Sequence, residues 1–288
     1  MKIGIIGLGL IGGSMGRAIL KKTDNEVLGL DIDEEVEKTA LVISAMTEKL
    51  TDEKVKELDV LMLALYPTDV EPYLEKYCKL MKPNAIIMDL CGNKRKVCEL
   101  FENYAKKFPS INFVGAHPMA GREFIGIKHS MATLFEHASM ILVNINSNIE
   151  TIAKIKALSL SLGFNKVVIT TAENHDKIIA YTSQLAHIVS SSYVKSNTAD
   201  EYFGFSAGSF RDMTRVARLS PTMWSELMLD NKDNLIREID EIIDHLSEYK
   251  SAMVQSDKAK METLLSEGNE KKLALEKLKC FSEDELNV

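Results

Sequence analysis

A chain of 288 residues with 45% hydrophobic and 27% charged side chains is long enough for two domains and has an ordinary globular balance. Its formal net charge of −7 argues against a nucleic-acid partner, so any anionic ligand must be held by local cations. No uncharged apolar run approaches the roughly 18 residues of a membrane span. The four cysteines (Cys78, Cys91, Cys98, Cys280) show no CxxC pair and no histidine at zinc-ligand spacing, which predicts reduced thiols, a cytoplasmic location and no metal.

Lys2 to Ile6 reads as a buried strand, and Gly7-Leu8-Gly9-Leu10-Ile11-Gly12 follows it directly. Met15, Ala18 and Ile19 then give a helical stripe, so the glycine motif sits between strand and helix, where it is informative. Gly7 permits the tight turn, Gly9 lets backbone approach a pyrophosphate, and Gly12 lets helix and strand pack. With Leu10 and Ile11 opening the helix, its free N–H groups face the phosphates. A second strand, Glu26 to Leu30, ends in Asp31, about 20 residues beyond the glycines, as the fingerprint requires. A carboxylate there accepts from ribose hydroxyls and repels a 2′-phosphate, which favours NAD over NADP.

Val60 to Leu65 and Ala85 to Met88 are continuous apolar runs of the kind buried on both faces of a parallel sheet. Asp89 and Lys94 follow the second run at its carboxyl end, which places Lys94 either to reach an anion of the cofactor or in solvent. The run Ile111 to Val114 leads into Gly115-Ala-His-Pro-Met-Ala-Gly121, then Arg122 and Glu123. Proline pushes the residue before it towards an extended conformation, so His117 is presented at the mouth of a strand. Gly115 and Gly121 are expected to leave room there for a ligand. Met140 to Val143 and Lys166 to Ile169 complete the strands, with a helix from Asn148 to Leu162 between them. Strand alternating with helix predicts an α/β doubly wound sheet over residues 1–170.

Beyond Thr170 no strand is expected, which assigns residues 171–288 to an all-α domain. Glu173 to Val194 reads as one helix on which Ser183 and His187, four apart, share a face. Arg211, Arg215 and Arg218 recur at helical spacing beside Asp212; in an acidic chain this stripe reads as a carboxylate-binding surface or as surface ion pairs. From Trp224 to Met253 a three-four repeat predicts one long helix, partly a subunit interface.

Together the glycine motif, Gly115-Ala-His-Pro-Met-Ala-Gly121 with Glu123, Ser183-Gln-Leu-Ala-His187, and Gly208-Ser-Phe-Arg-Asp-Met-Thr-Arg215 with Trp224 resemble the prephenate and arogenate dehydrogenase family. The resemblance implies a Rossmann-type domain, a helical domain that forms a homodimer, and oxidative decarboxylation of prephenate to 4-hydroxyphenylpyruvate with NAD. It also implies roles. His117 accepts the hydrogen bond of the substrate hydroxyl; Ser183, His187 and Trp224 face the substrate; Arg215 binds a carboxylate. Arg211 and Asp212 close the pocket from the partner subunit, with Glu123 in the same polar network. One departure stands out: Gly92 occupies the place of a family serine and offers no hydroxyl. The competing readings are an arogenate dehydrogenase, a β-hydroxyacid dehydrogenase, which needs a lysine that the Glu173–Val194 stripe lacks, and a non-catalytic NAD-sensing dimer.

Overall fold

The computed structural model describes residues 1–122 and 124–284, in two compact units, Met1–Leu235 and Ile236–Val288. In the first unit eight strands form one sheet: β1 (Lys2–Ile6), β2 (Glu26–Leu30), β3 (Glu48–Lys49), β4 (Val60–Leu63), β5 (Ile86–Asp89), β6 (Asn112–Pro118), β7 (Ser139–Asn144) and β8 (Lys166–Ile169). Their order is β3-β2-β1-β4-β5-β6-β7-β8; β1 to β6 are parallel, and β7 is antiparallel to β6. This is a Rossmann-type arrangement in which the chain reverses its winding between β1 and β4.

Alternate side chains of each strand fill two cores, one per face. Ile3, Ile5, Met62, Met88 and Val114 pack on one side with α1 (Leu10–Lys22), while Ile6, Leu61, Leu63, Ile87 and Phe113 pack on the other. Burial on both faces explains why these strands read as unbroken apolar runs rather than as alternating patterns. The helices α2 (Glu34–Val42), α3 (Asp52–Val55), α4 (Val70–Tyr77), α5 (Arg95–Lys107) and α6 (Ile149–Ser161) supply the crossovers. Short β3, with only two residues, carries no periodicity that sequence could reveal.

After β8 the described chain is helical: α7 (Ala172–Ile179), a π-helical turn (Ala180–Leu185), α8 (Ala186–Tyr193), α9 (Gly208–Thr214), α10 (Pro221–Asp230), α11 (Lys232–Val254) and α12 (Lys258–Asp284). The helix expected from Glu173 to Val194 therefore exists but carries a π turn through Ser183. The single long helix expected from Trp224 is corrected. Asn231 leaves helical geometry (φ −110°) and separates α10 from α11, because its buried amide is needed elsewhere. In the second unit Tyr249 donates its hydroxyl hydrogen to the Leu264 carbonyl at 3.2 Å, joining α11 to α12 around Ala252 and Leu264.

Candidate active site

A cavity of about 570 Å³ opens at the carboxyl ends of β1, β4, β5 and β6, where the winding reverses. Open α/β sheets place ligands at this switch point. Its walls include Gly9, Leu10, Ile11 and Gly12 from the first turn, His117 from β6, Ser183 and His187 from the long helical segment, and Arg215 and Trp224. Gly7, at φ +85°, donates its N–H to Leu30 O at 2.9 Å. A Cβ on Gly12 would meet Gly7 O at 1.8 Å, whereas one on Gly9 would meet nothing within 4 Å. The turn is thus closed where helix and strand pack and open where a pyrophosphate would lie, so the residues fit a bound dinucleotide. Asp31 follows β2 and accepts the Leu8 N–H at 2.6 Å, which fixes its carboxylate beside the turn.

His117 is half-buried, and its Nδ1 lies 2.9 Å from His175 Nε2. His175, 3% exposed, places its own Nδ1 2.7 Å from Asp176 Oδ1. Asp176, 1% exposed, also accepts the backbone N–H groups of Lys94 at 2.7 Å and Arg95 at 2.9 Å. Burial alone would raise the pKa of this carboxyl, but the hydrogen bonds from His175 and the two N–H groups outweigh it and hold it below the usual value. An ionised Asp176 accepts the hydrogen bond of His175 Nδ1–H, leaving His175 Nε2 as an acceptor. His117 then donates from Nδ1, and its Nε2 carries a lone pair. Burial first, then the proximity of His175 and Lys94, push the His117 pKa well below 6.5. His117 thus lines the cavity as a neutral ring. Thr171 caps α7 by accepting the Asn174 N–H, which sets His175 and Asp176 in the helix's first turns.

Lys94 does not occupy the place expected for it. It is 0% exposed, its ammonium pairs with Asp89 and donates to Ala116 O at 2.7 Å, and it does not line the cavity. Asp89 in turn accepts the Ala116 N–H at 3.0 Å and the Cys91 N–H at 2.9 Å. Lys94 therefore ties the ends of β5 and β6 together under His117. Burial alone would lower its pKa, but Asp89 beside it outweighs that and raises it. Gly115 is corrected likewise: the space beside it is filled, since a Cβ there would meet Cys98 Sγ at 2.7 Å and Val143 Cβ at 3.2 Å. Gly121 does face open space.

On the opposite wall His187 donates from Nδ1 to Val216 O at 3.0 Å, and Ser190 Oγ donates to Met213 O at 2.7 Å. These bonds bracket Arg215 and pin its backbone to α8. The rings of His187 and Trp224 lie 4.0 Å apart between centroids, and both line the cavity. Arg211 and Asp212 are exposed on α9 and do not line the cavity; Glu123 lies outside the described residues.

Sequence reasoning missed His175 and Asp176, and with them the amides that hold the two halves of the cavity. Asn231 donates to Asp176 O at 2.7 Å and Gln184 Oε1 at 2.9 Å; Gln184 donates to Asn93 Oδ1 at 3.0 Å. A signal existed for His175, since 175, 179, 183 and 187 form one series at spacing four.

A glycine turn at the switch point of a Rossmann-type sheet, with a neutral imidazole across the same cavity, is the arrangement of an NAD-dependent dehydrogenase. Comparison with known proteins narrows the class. Residues 15–169 match the family model described as prephenate dehydrogenase, nucleotide-binding domain, and residues 171–267 match prephenate dehydrogenase, dimerization domain. The prephenate dehydrogenase of Lactococcus lactis is 31% identical over 287 residues, covering 96% of this chain and 77% of that protein. The cyclohexadienyl dehydrogenase of Zymomonas mobilis is 30% identical over 285 residues, covering 95% of each. The crystal structure of Aquifex aeolicus prephenate dehydrogenase in complex with hydroxyphenyl propionate and NAD+ superposes with a TM-score of 0.82 at 25% identity, covering 96% of this chain and 98% of that one. The chain belongs to the prephenate dehydrogenase family.

Proposed function

We propose that the chain oxidatively decarboxylates prephenate to 4-hydroxyphenylpyruvate with reduction of NAD+. The observation that carries this reading is the neutral His117 in a cavity shared by Gly9–Gly12 and Arg215, in a chain whose family match runs from residue 15 to 267. When bound, NAD+ supplies the hydride acceptor. His117 Nε2 accepts the hydrogen of the ring hydroxyl and takes the proton as the carbon bearing it is oxidised. Aromatisation drives loss of the ring carboxylate, so the protein's share is positioning and proton acceptance. Arg215 grips a substrate carboxylate, while Ser183, His187 and Trp224 shape the ring's seat. Exposed Arg211 and Asp212 act from a partner protomer in a homodimer, a reading supported by the dimerization-domain match.

Prephenate is favoured over arogenate because the described residues lining the cavity include Arg215 and Arg218 and no carboxylate that would welcome an ammonium. Arogenate remains a second substrate reading, supported by the similarity to a cyclohexadienyl dehydrogenase. Cys78, Cys91 and Cys98 are free and buried, which supports a cytoplasmic enzyme. No described helix is long and apolar enough to cross a membrane. The test is absorbance at the NADH band with prephenate and arogenate, each with NAD+ and NADP+. Fast reduction is expected with prephenate and NAD+; no reduction with either substrate would leave a nucleotide-binding dimer without this activity.

A further inference from the structure

We propose that Arg122 binds the pyrophosphate of the cofactor from across the cavity; the proposal rests on the dehydrogenase reading above. The glycine turn offers only backbone N–H groups and a helix terminus to a doubly charged group, in a chain with a net charge of −7. Arg122 supplies the cation that this turn lacks. It lines the same cavity as Gly9, Leu10, Ile11 and Gly12. Among the described residues no carboxylate lies within ion-pair distance of its guanidinium, whose contacts are soft: Nη1 lies 3.2 Å from Met131 Sδ, and the group stands 5.7 Å from the Phe124 ring centroid.

The course of the chain sets which anion Arg122 meets. From the end of β6 the segment returns across the sheet and is strapped onto α1. Met131 donates its N–H to Ser14 Oγ at 3.0 Å, Arg17 donates to Ser130 O, and Ser130 and Ile127 pack against Gly13. Met131, the residue that Arg122 touches, is thus bonded to the first half of α1, whose N-terminus opens at Gly9. Arg215 reaches the cavity from the other wall, on backbone held by α8, together with His187 and Trp224. The two cations divide the labour: Arg215 takes the substrate carboxylate and Arg122 takes the dinucleotide. Asp31 follows β2, on the far side of β1 from the strands that lead to Arg122, so the anion at Arg122 is the pyrophosphate and not a 2′-phosphate.

Fluorescence titration of wild type, Arg122→Gln and Arg122→Lys with NADH tests this without relying on turnover. Loss of one charge-assisted hydrogen bond is worth about tenfold in affinity. The NADH Kd of Arg122→Gln should rise by about that factor, competition by ADP-ribose should weaken in parallel, and the salt dependence of the Kd should flatten. Arg122→Lys should stay within about threefold of wild type, and the prephenate KM at saturating NAD+ should stay within about twofold in both variants. An unchanged NADH Kd in Arg122→Gln, or a prephenate KM that rises as much as the NADH Kd, overturns the assignment while leaving the dehydrogenase intact. Failure of the wild type to bind NADH overturns both readings.

Discussion

His175 donates to Asp176 across 2.7 Å and so presents an acceptor, not a donor, to His117. The consequence is a pH profile. The proposed mechanism needs neutral His117, whose pKa burial pushes well below 6.5, and His175 is lowered too, chiefly by burial. The kcat/KM for prephenate should therefore be level from about pH 6.5 upward and fall only on the acid side. Stability follows the same sign. Below 6.5 the unfolded chain binds protons that the folded imidazoles refuse, so their contribution is whole above that pH and is lost as the pH drops towards the folded values. Asp176, with its pKa lowered from 3.8, adds a second loss only in stronger acid. A kcat/KM profile with its acid limb above pH 7 would contradict this arrangement.

Asp176→Asn keeps the size of the side chain but removes the charge that selects the His175 tautomer. An amide at this place can present its NH2 to His175, and the His117 lone pair then loses its defined direction. We expect kcat to fall by about two orders of magnitude, the scale of a mispositioned general base. The KM for NAD+ should hardly move. His175→Ala should lower kcat similarly, and equal effects in the double variant would mark the two residues as one unit.

His117→Ala should lower kcat, whereas Arg215→Ala should mainly raise the prephenate KM. Arg215 lines the cavity on backbone held by His187 and Ser190, so its loss removes binding common to ground and transition states. Steady-state kinetics separates the two. An unchanged kcat for His117→Ala would withdraw its role as acceptor.

Lys94→Met tests a structural role against the expected contact with cofactor. Removing the ammonium strands Asp89 as a buried charge, which costs roughly 3–5 kcal/mol. Its carboxylate would keep only the Ala116 and Cys91 N–H groups. Denaturant melts should show that loss, and Lys94→Met combined with Asp89→Leu should recover much of it, since two apolar groups leave no unpaired charge at that place. A rise in the NAD+ Kd with unchanged stability would return Lys94 to the cofactor site.

Local chemistry made half of this site legible. Gly7–Gly12 and His117-Pro118 announce themselves because glycine and proline impose backbone geometry on their own neighbours. The apolar runs of β1, β4 and β5 show burial on both faces without any tertiary knowledge. Lys94 was misplaced because its partner, Asp89, and the carbonyl of Ala116 meet it only once β5 and β6 pair. Asn231 broke an apparently continuous helical repeat for a similar reason: its four hydrogen bonds reach residues up to 136 positions away. The antiparallel turn of β7 left no trace in composition, since one apolar run serves either direction.

Two glycines three residues apart give the sharpest test of the dinucleotide turn. In Gly12→Ala the new methyl would lie 1.8 Å from Gly7 O, so helix and strand must separate; both melting temperature and NADH affinity should fall. In Gly9→Ala the methyl meets nothing within 4 Å, and the backbone φ there, −68°, lies outside the left-handed region that favours glycine. The protein should therefore fold with a melting temperature within a few degrees of wild type. The methyl would nonetheless occupy the space a pyrophosphate needs, which predicts an NADH Kd raised by at least an order of magnitude in the Gly9 variant. Thermal melts and NADH titration together distinguish packing from ligand approach. A Gly9→Ala protein that binds NADH as wild type does would show that the cofactor phosphates lie elsewhere.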